Sequence, residues 1–137
     1  LNLFTTIDKN GDLIQVDMNG NIVKNSYGLE GKNTIDIKKE NILLHSGNTI
    51  NINGKIINLP PGRYSKPKLF NYIDMSYISI TDQKERKIYL FDKEGNLVNG
   101  FPLKGIDIVD IIDADNDGKT ELISKLDETS IISYEIN

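Results

Sequence analysis

The chain has 137 residues, a formal net charge of −4 and no cysteine. That length allows one ordinary domain or a few units of a repeat, and the absence of cysteine excludes a disulfide scaffold, a thiol nucleophile and a cysteine-ligated metal. The mildly acidic balance with interspersed signs offers no electrostatic footprint for nucleic acid, and no apolar run reaches the ~18 residues of a membrane span, so no membrane insertion by this segment is expected. No signal peptide is visible, and a processed or excised segment is expected from the opening on Leu1 without Met.

The composition points to strands. Ala114 is the only alanine, whereas Ile and Asn are abundant, which disfavours helices and favours strands joined by tight turns. Taken along the chain, strands are expected near 1–7, 12–17 and 21–25, then 34–37, 41–45, 48–53 and 55–59. A third group falls near 67–73, 76–81, 87–92 and 97–102, and a last one near 106–112, 120–125 and 130–136. The alternating stretches Leu13–Asp17, Asn48–Asn53 and Lys87–Phe91 carry the period-two signature of half-buried strands. No stretch keeps a helical stripe, so the fold class is all-β.

An internal repeat overlies these strands. Ile14–Val23 and Tyr89–Val98 both read apolar strand, Asp, two residues, Gly-Asn, apolar pair, and Ile50–Ile57 is a shorter copy. Each copy is expected to close a hairpin of three to five residues on a glycine at positive φ. Gly20, Gly54 and Gly95 lie 34 and 41 residues apart, which is the spacing of a four-stranded propeller blade. The expected blades are 1–31, 32–62, 63–105 and 106–137, about 3.75 blades of four antiparallel strands, within a single partial propeller domain. Pro60-Pro61-Gly62 and Gly100-Phe101-Pro102 punctuate the outer strands.

The run from Lys87 to Gly105 resembles the blade signature of FG-GAP, VCBS and quinoprotein-like β-propellers, and Asp113-Ala114-Asp115-Asn116-Asp117-Gly118-Lys119-Thr120-Glu121-Leu122-Ile123 resembles the acidic turn of the same repeats. The third and fourth units carry the resemblance well, the first moderately and the second poorly. The combination is similar to the carboxy-terminal propellers of envelope proteins in Bacteroidetes. Some relatives bear a type-two ribonuclease H label. That chemistry needs clustered carboxylates on an α/β fold around two Mg²⁺ ions, and neither that fold nor a basic groove is expected here. The resemblance implies a periplasmic or cell-surface location.

The acidic turn is the one constellation with metal chemistry. Asp113, Asp115 and Asp117 alternate, Gly118 allows a sharp turn, the carbonyl of Lys119 adds an oxygen, and Glu121 follows. Oxygen ligands so spaced can converge on Ca²⁺, although Glu121 stands too early for the twelfth position of an EF-hand loop. The resemblance implies a calcium loop between the first and second strands of a blade. The other reading is an Asp/Asn-rich turn whose side chains cap backbone N–H groups, with the Lys119 ammonium opposing a tight site. Asp8-Lys9-Asn10-Gly11-Asp12 is a shortened copy that reads as a plain hairpin turn. Asp36–Glu40 and Asp74–Tyr77 lack the spacing.

The remaining candidates read as structural: His45, the sole histidine, near a strand end; Lys84–Lys87 as a solvated hairpin turn; and Arg63–Lys68 as a basic linker between blades. No catalytic and no cofactor-binding residue is assigned apart from the calcium turn. Two functions follow: a non-catalytic binding or scaffolding module of the cell envelope with a protein or glycan partner, or a glycan-active enzyme or carbohydrate-binding propeller with a site at the channel mouth. Because the first and last blades each lack a strand, a homodimer completing the ring, or an arc of a longer propeller, is expected.

Overall fold

The computed structural model describes residues 3–29, 33–72, 75–106 and 109–136. Among these residues the fold is all-β: fourteen strands form four antiparallel sheets of three, four, four and three strands, each running in chain order. The chain divides into two compact units, Leu1–Pro61 and Gly62–Asn137.

In the first unit, β1 (Phe4–Ile7), β2 (Asp12–Val16) and β3 (Ile22–Ser26) form one sheet. β4 (Asn33–Lys38), β5 (Asn41–Ser46), β6 (Thr49–Ile52) and β7 (Lys55–Asn58) form the next. Leu13, Leu29 and Leu44 are buried together, with Ile7, Tyr27, Ile35 and Ile42 packed against them. Five of the six residues of β5 are buried, on both faces, whereas every residue of β3 is exposed.

In the second unit, β8 (Lys68–Tyr72), β9 (Met75–Asp82), β10 (Lys87–Asp92) and β11 (Leu103–Lys104) pair in order. β12 (Asp110–Ile112), β13 (Thr120–Lys125) and β14 (Ile131–Ile136) form the other sheet. Tyr77–Asp82 of β9 are buried on both faces, and Ile88 and Leu90 of β10 face the core. Phe70, Tyr77, Ile88, Leu90, Phe101, Val109, Ile111 and Leu122 are buried there as one cluster, with Tyr134 and Ile136 against it. Burying a side chain of this size contributes about 1.5–3 kcal/mol, so this cluster is what holds the two sheets of the unit together.

Two copies of the repeat share one turn chemistry. Asp17 N donates to Asn21 O and Gly20 N to Asp17 O, both at 3.1 Å; Asp92 N donates to Asn96 O at 2.9 Å and Gly95 N to Asp92 O at 3.0 Å. Each aspartate carboxylate also caps the loop, accepting from Asn21 N at 2.9 Å and from Asn96 N at 2.8 Å. Gly20 and Gly95 sit at φ +84° and +77°, where a side chain is disfavoured. Asp8–Asp12 is a third copy of this turn, with Asp8 Oδ1 accepting from Asn10 N and Asp12 N.

Three details differ from the sequence reading. The register Ile52↔Lys55 leaves only Asn53 and Gly54 in their hairpin, a two-residue turn with both residues at positive φ, so it is shorter than the expected three to five residues. The strand expected at 97–102 is a single bridge at Leu97 followed by β11 at 103–104. The chain leaves the ladder between them, where Phe101 N turns back to Val98 O at 3.1 Å and Pro102 has no N–H to offer. The strand expected at 106–112 is confined to Asp110–Ile112, with 107 and 108 outside the described residues. Residues 1 and 2 of the first expected strand, residue 73 of the eighth, and Asp74 also lie outside them.

Candidate functional site

The acidic turn joins β12 to β13, the first and second strands of their sheet. Ile111 and Leu122 are buried on either side of it and fix the strands, while 114–119 stand in solvent. Asn116 at φ +62° and Gly118 at φ +88° reverse the chain.

Within this loop the carboxylates of Asp113, Asp115 and Asp117 approach one another, each offering an oxygen within 4.8 Å of the others. Backbone N–H groups hold each one. Asp113 Oδ2 accepts from Gly118 N at 3.0 Å, Asp115 Oδ1 from Asp117 N at 3.2 Å, and Asp117 Oδ1 from Lys119 N at 2.8 Å. Every carboxylate therefore keeps a second oxygen. That of Asp113, Oδ1, is buried and has no hydrogen-bond partner. A buried anionic oxygen without a donor is costly, and a hard cation bound at oxygen ligands would relieve it. The donor set, three carboxylates each anchored by a loop amide, is of the kind that could hold a hard cation.

Glu121 enters the loop differently: its Oε2 accepts from Ala114 N at 2.7 Å, bracing the turn. The Lys119 side chain turns back to Glu135 Oε2 at 2.8 Å, and its ammonium lies 3.9 Å from Asp117 Oδ2. The Glu135 carboxylate, ahead of the Asp117 and Asp115 charges, raises the basicity of Lys119.

The other candidates fall elsewhere. His45 is buried in β5, its Nε2 donating to Gly47 O at 2.9 Å, and burial lowers its basicity. Lys84–Arg86 lie in an exposed turn anchored by Asp82, whose Oδ1 accepts from Lys84 N and Glu85 N, and Lys87 opens β10 opposite Asp82. Arg63–Ser65 are not a free linker. They run beside β9, with Ser65 N donating to Thr81 O at 2.9 Å and Gln83 N to Arg63 O at 2.8 Å. Tyr64 there stacks edge-on against Tyr89, and burial, then Tyr89 and Asp82, push its hydroxyl up to about 12.

One groove escaped the sequence reading. Met75, Ser76, Tyr77, Asp92, Lys93 and Glu94 line an open depression of about 230 Å³. Its halves lie fifteen residues apart, and only the pairing Asp92↔Tyr77 brings them together. Its acidic groups are engaged: Asp92 holds Asn96 through both oxygens, and Glu94 lies 3.7 Å from Lys93.

No protein-family model, no curated protein and no solved structure matches this chain.

Proposed function

We propose that this chain is a non-catalytic binding or scaffolding module of a cell-envelope protein, built from β-propeller blades, with one calcium-binding turn. The blade reading is supported by four successive antiparallel sheets in simple chain order and by the Asp-x-x-Gly-Asx hairpin that recurs at Asp17 and Asp92. It rests also on the resemblance of Lys87–Gly105 and Asp113–Ile123 to FG-GAP-like repeats. The partner is a protein or a glycan, and a second copy of the chain is one candidate for completing the ring.

The observation that carries the calcium assignment is Asp113 Oδ1, buried and without a donor in a loop where three carboxylates converge. Asp113, Asp115 and Asp117 would supply side-chain oxygens and Lys119 a backbone carbonyl, with Glu121 holding the loop closed. Ca²⁺ bound there would tie β12 to β13 and stabilise the sheet by linkage. A single exposed loop of this kind belongs with extracellular modules of low affinity, about 10⁻⁴–10⁻³ M.

Titrating calcium into the chain while following its thermal melt tests this. Millimolar Ca²⁺ is expected to raise the melting temperature, and Asp113→Asn to abolish the rise. A melt indifferent to Ca²⁺ would leave the loop a plain turn.

A further inference from the structure

The chain contains four Asn-Gly steps, at Asn10, Asn19, Asn53 and Asn99. Such a step can convert without an enzyme. The glycine backbone nitrogen gives up its proton and attacks the asparagine Cγ; the Cγ–N bond to the side-chain amide breaks and ammonia leaves. Water then opens the resulting five-membered imide to aspartate or isoaspartate. No oxidant or reductant is needed. The demands are a free glycine N–H, a free carboxamide and access to water.

The structure separates the four steps by the first demand. Gly11 N donates to Asp8 O and Gly20 N to Asp17 O, both at 3.1 Å, and Gly54 N donates to Asn51 Oδ1 at 2.8 Å. Among the described residues, nothing accepts the N–H of Gly100. The carboxamides set apart only Asn53, since those of Asn10 and Asn19, like that of Asn99, have no hydrogen-bond partner among the described residues. Asn53 is locked, accepting from Ile42 N at 2.9 Å and donating to Asn41 Oδ1 at 2.8 Å. Asn99 is exposed, and its carboxamide has no hydrogen-bond partner among the described residues. Gly100 is also exposed, at φ +86°.

We infer that Asn99 is the chain's site of spontaneous deamidation, with Asn10 and Asn19 slowed by the hydrogen bonds of their turns and Asn53 protected. Hydrolysis at Asn99 puts a new carboxylate between the Leu97 bridge and β11. The isoaspartyl product also lengthens the backbone by one methylene beside Val98 and Phe101. Phe101 is a buried member of the core whose N–H closes the turn onto Val98 O.

The test is incubation of the intact chain in mildly alkaline buffer, followed by peptide mapping with mass spectrometry and chromatographic separation of aspartyl and isoaspartyl products. In the folded chain the peptide holding Asn99 is expected to convert several-fold faster than those holding Asn10 and Asn19, with that of Asn53 slowest. In denaturant the four rates should converge, because all four steps share the same Asn-Gly chemistry. The inference is overturned if Asn99 is not the fastest site in the folded chain, or if the same ranking and spread persist in denaturant.

Discussion

The Cδ1 methyl of Ile88 occupies the space that a Cβ on Gly105 would need. Ile88 is fully buried in the core of the second unit, so it has nowhere to retreat. Gly105 N is held at the same time by Arg86 O at 3.0 Å, which ties this approach to the turn between β9 and β10. Gly105→Ala is therefore expected to cost about 1–3 kcal/mol through overpacking. Ile88→Val alone should cost about 0.5–1.5 kcal/mol. The double variant should cost clearly less than the sum, because valine removes the methyl that clashes. Denaturant titration of the four proteins measures the coupling, and strict additivity would show that the two residues do not compete for space.

The Asp92 turn offers a second test. Its carboxylate accepts from Asn96 N at 2.8 Å and from the Asn96 carboxamide at 3.0 Å. Asp92→Ala removes both acceptors and is expected to lower the melting temperature by roughly a few degrees, given about 1 kcal/mol for a hydrogen bond. Asp92→Asn keeps one acceptor oxygen and should retain part of the stability. Equal losses for the two variants would mean that the hydrogen bonds contribute nothing and only the charge matters.

Stability should respond to pH at both extremes. Asp8, Asp12, Asp17 and Asp127 are all held below the ordinary aspartate value of 3.8. The leading causes are the Asp12 N–H on Asp8, the Lys24 ammonium on Asp12, the Asn21 carboxamide on Asp17 and the Thr129 N–H on Asp127. A lowered carboxylate stabilises the fold fully above its unfolded value and loses that contribution as the pH falls through the folded one. Lys24, raised above 10.5 by Asp12 and then Asp8, contributes below that value and loses its contribution as the pH climbs past it. The part of the melting curve owed to these groups should thus be flat between the two limits and fall below 3.8. Lys24→Met should leave a smaller acid loss, since Asp12 then has no ammonium beside it. An acid profile unchanged by Lys24→Met would remove this pairing as a cause.

The Lys119 ammonium, 3.9 Å from Asp117 Oδ2, opposes a second cation in the acidic turn. Lys119→Met should therefore tighten Ca²⁺ several-fold, as removal of a like charge at this distance predicts in a solvent-exposed loop. The Lys119–Glu135 pair is lost as well, but an ion pair this exposed to solvent contributes little. Calorimetric or spectroscopic titration of both proteins reads the change. Unaltered or weaker Ca²⁺ binding in the variant would show that Lys119 is neutralised by Glu135 before the ion arrives.

Much of the architecture was legible locally. Alternation over five or six residues marked β2, β6 and β10, because the side-chain period of a strand needs only the strand itself. The Asp17 and Asp92 turns were equally legible, since their hydrogen bonds close within four residues on Asp, Gly and Asn. So was the spacing that brings Asp113, Asp115 and Asp117 together around one loop.

What the chain by itself did not determine depends on partners remote in sequence. The burial of β5 on both faces and the complete exposure of β3 follow from how sheets are covered, which no alternation within a strand encodes. The ladder broke between Leu97 and Leu103 because the backbone turned at Val98–Phe101 to bury Phe101 with Ile88 and Leu122, a packing demand that outweighed strand pairing. Arg63–Ser65 became an added edge of β9 rather than a linker because Thr81 and Gln83 offered backbone partners to them. The direction of Lys119 was set by Glu135 on the neighbouring strand, sixteen residues away, through the register Glu121↔Glu135. Tertiary structure decided these features because each one trades a local hydrogen bond or solvent contact for a distant one.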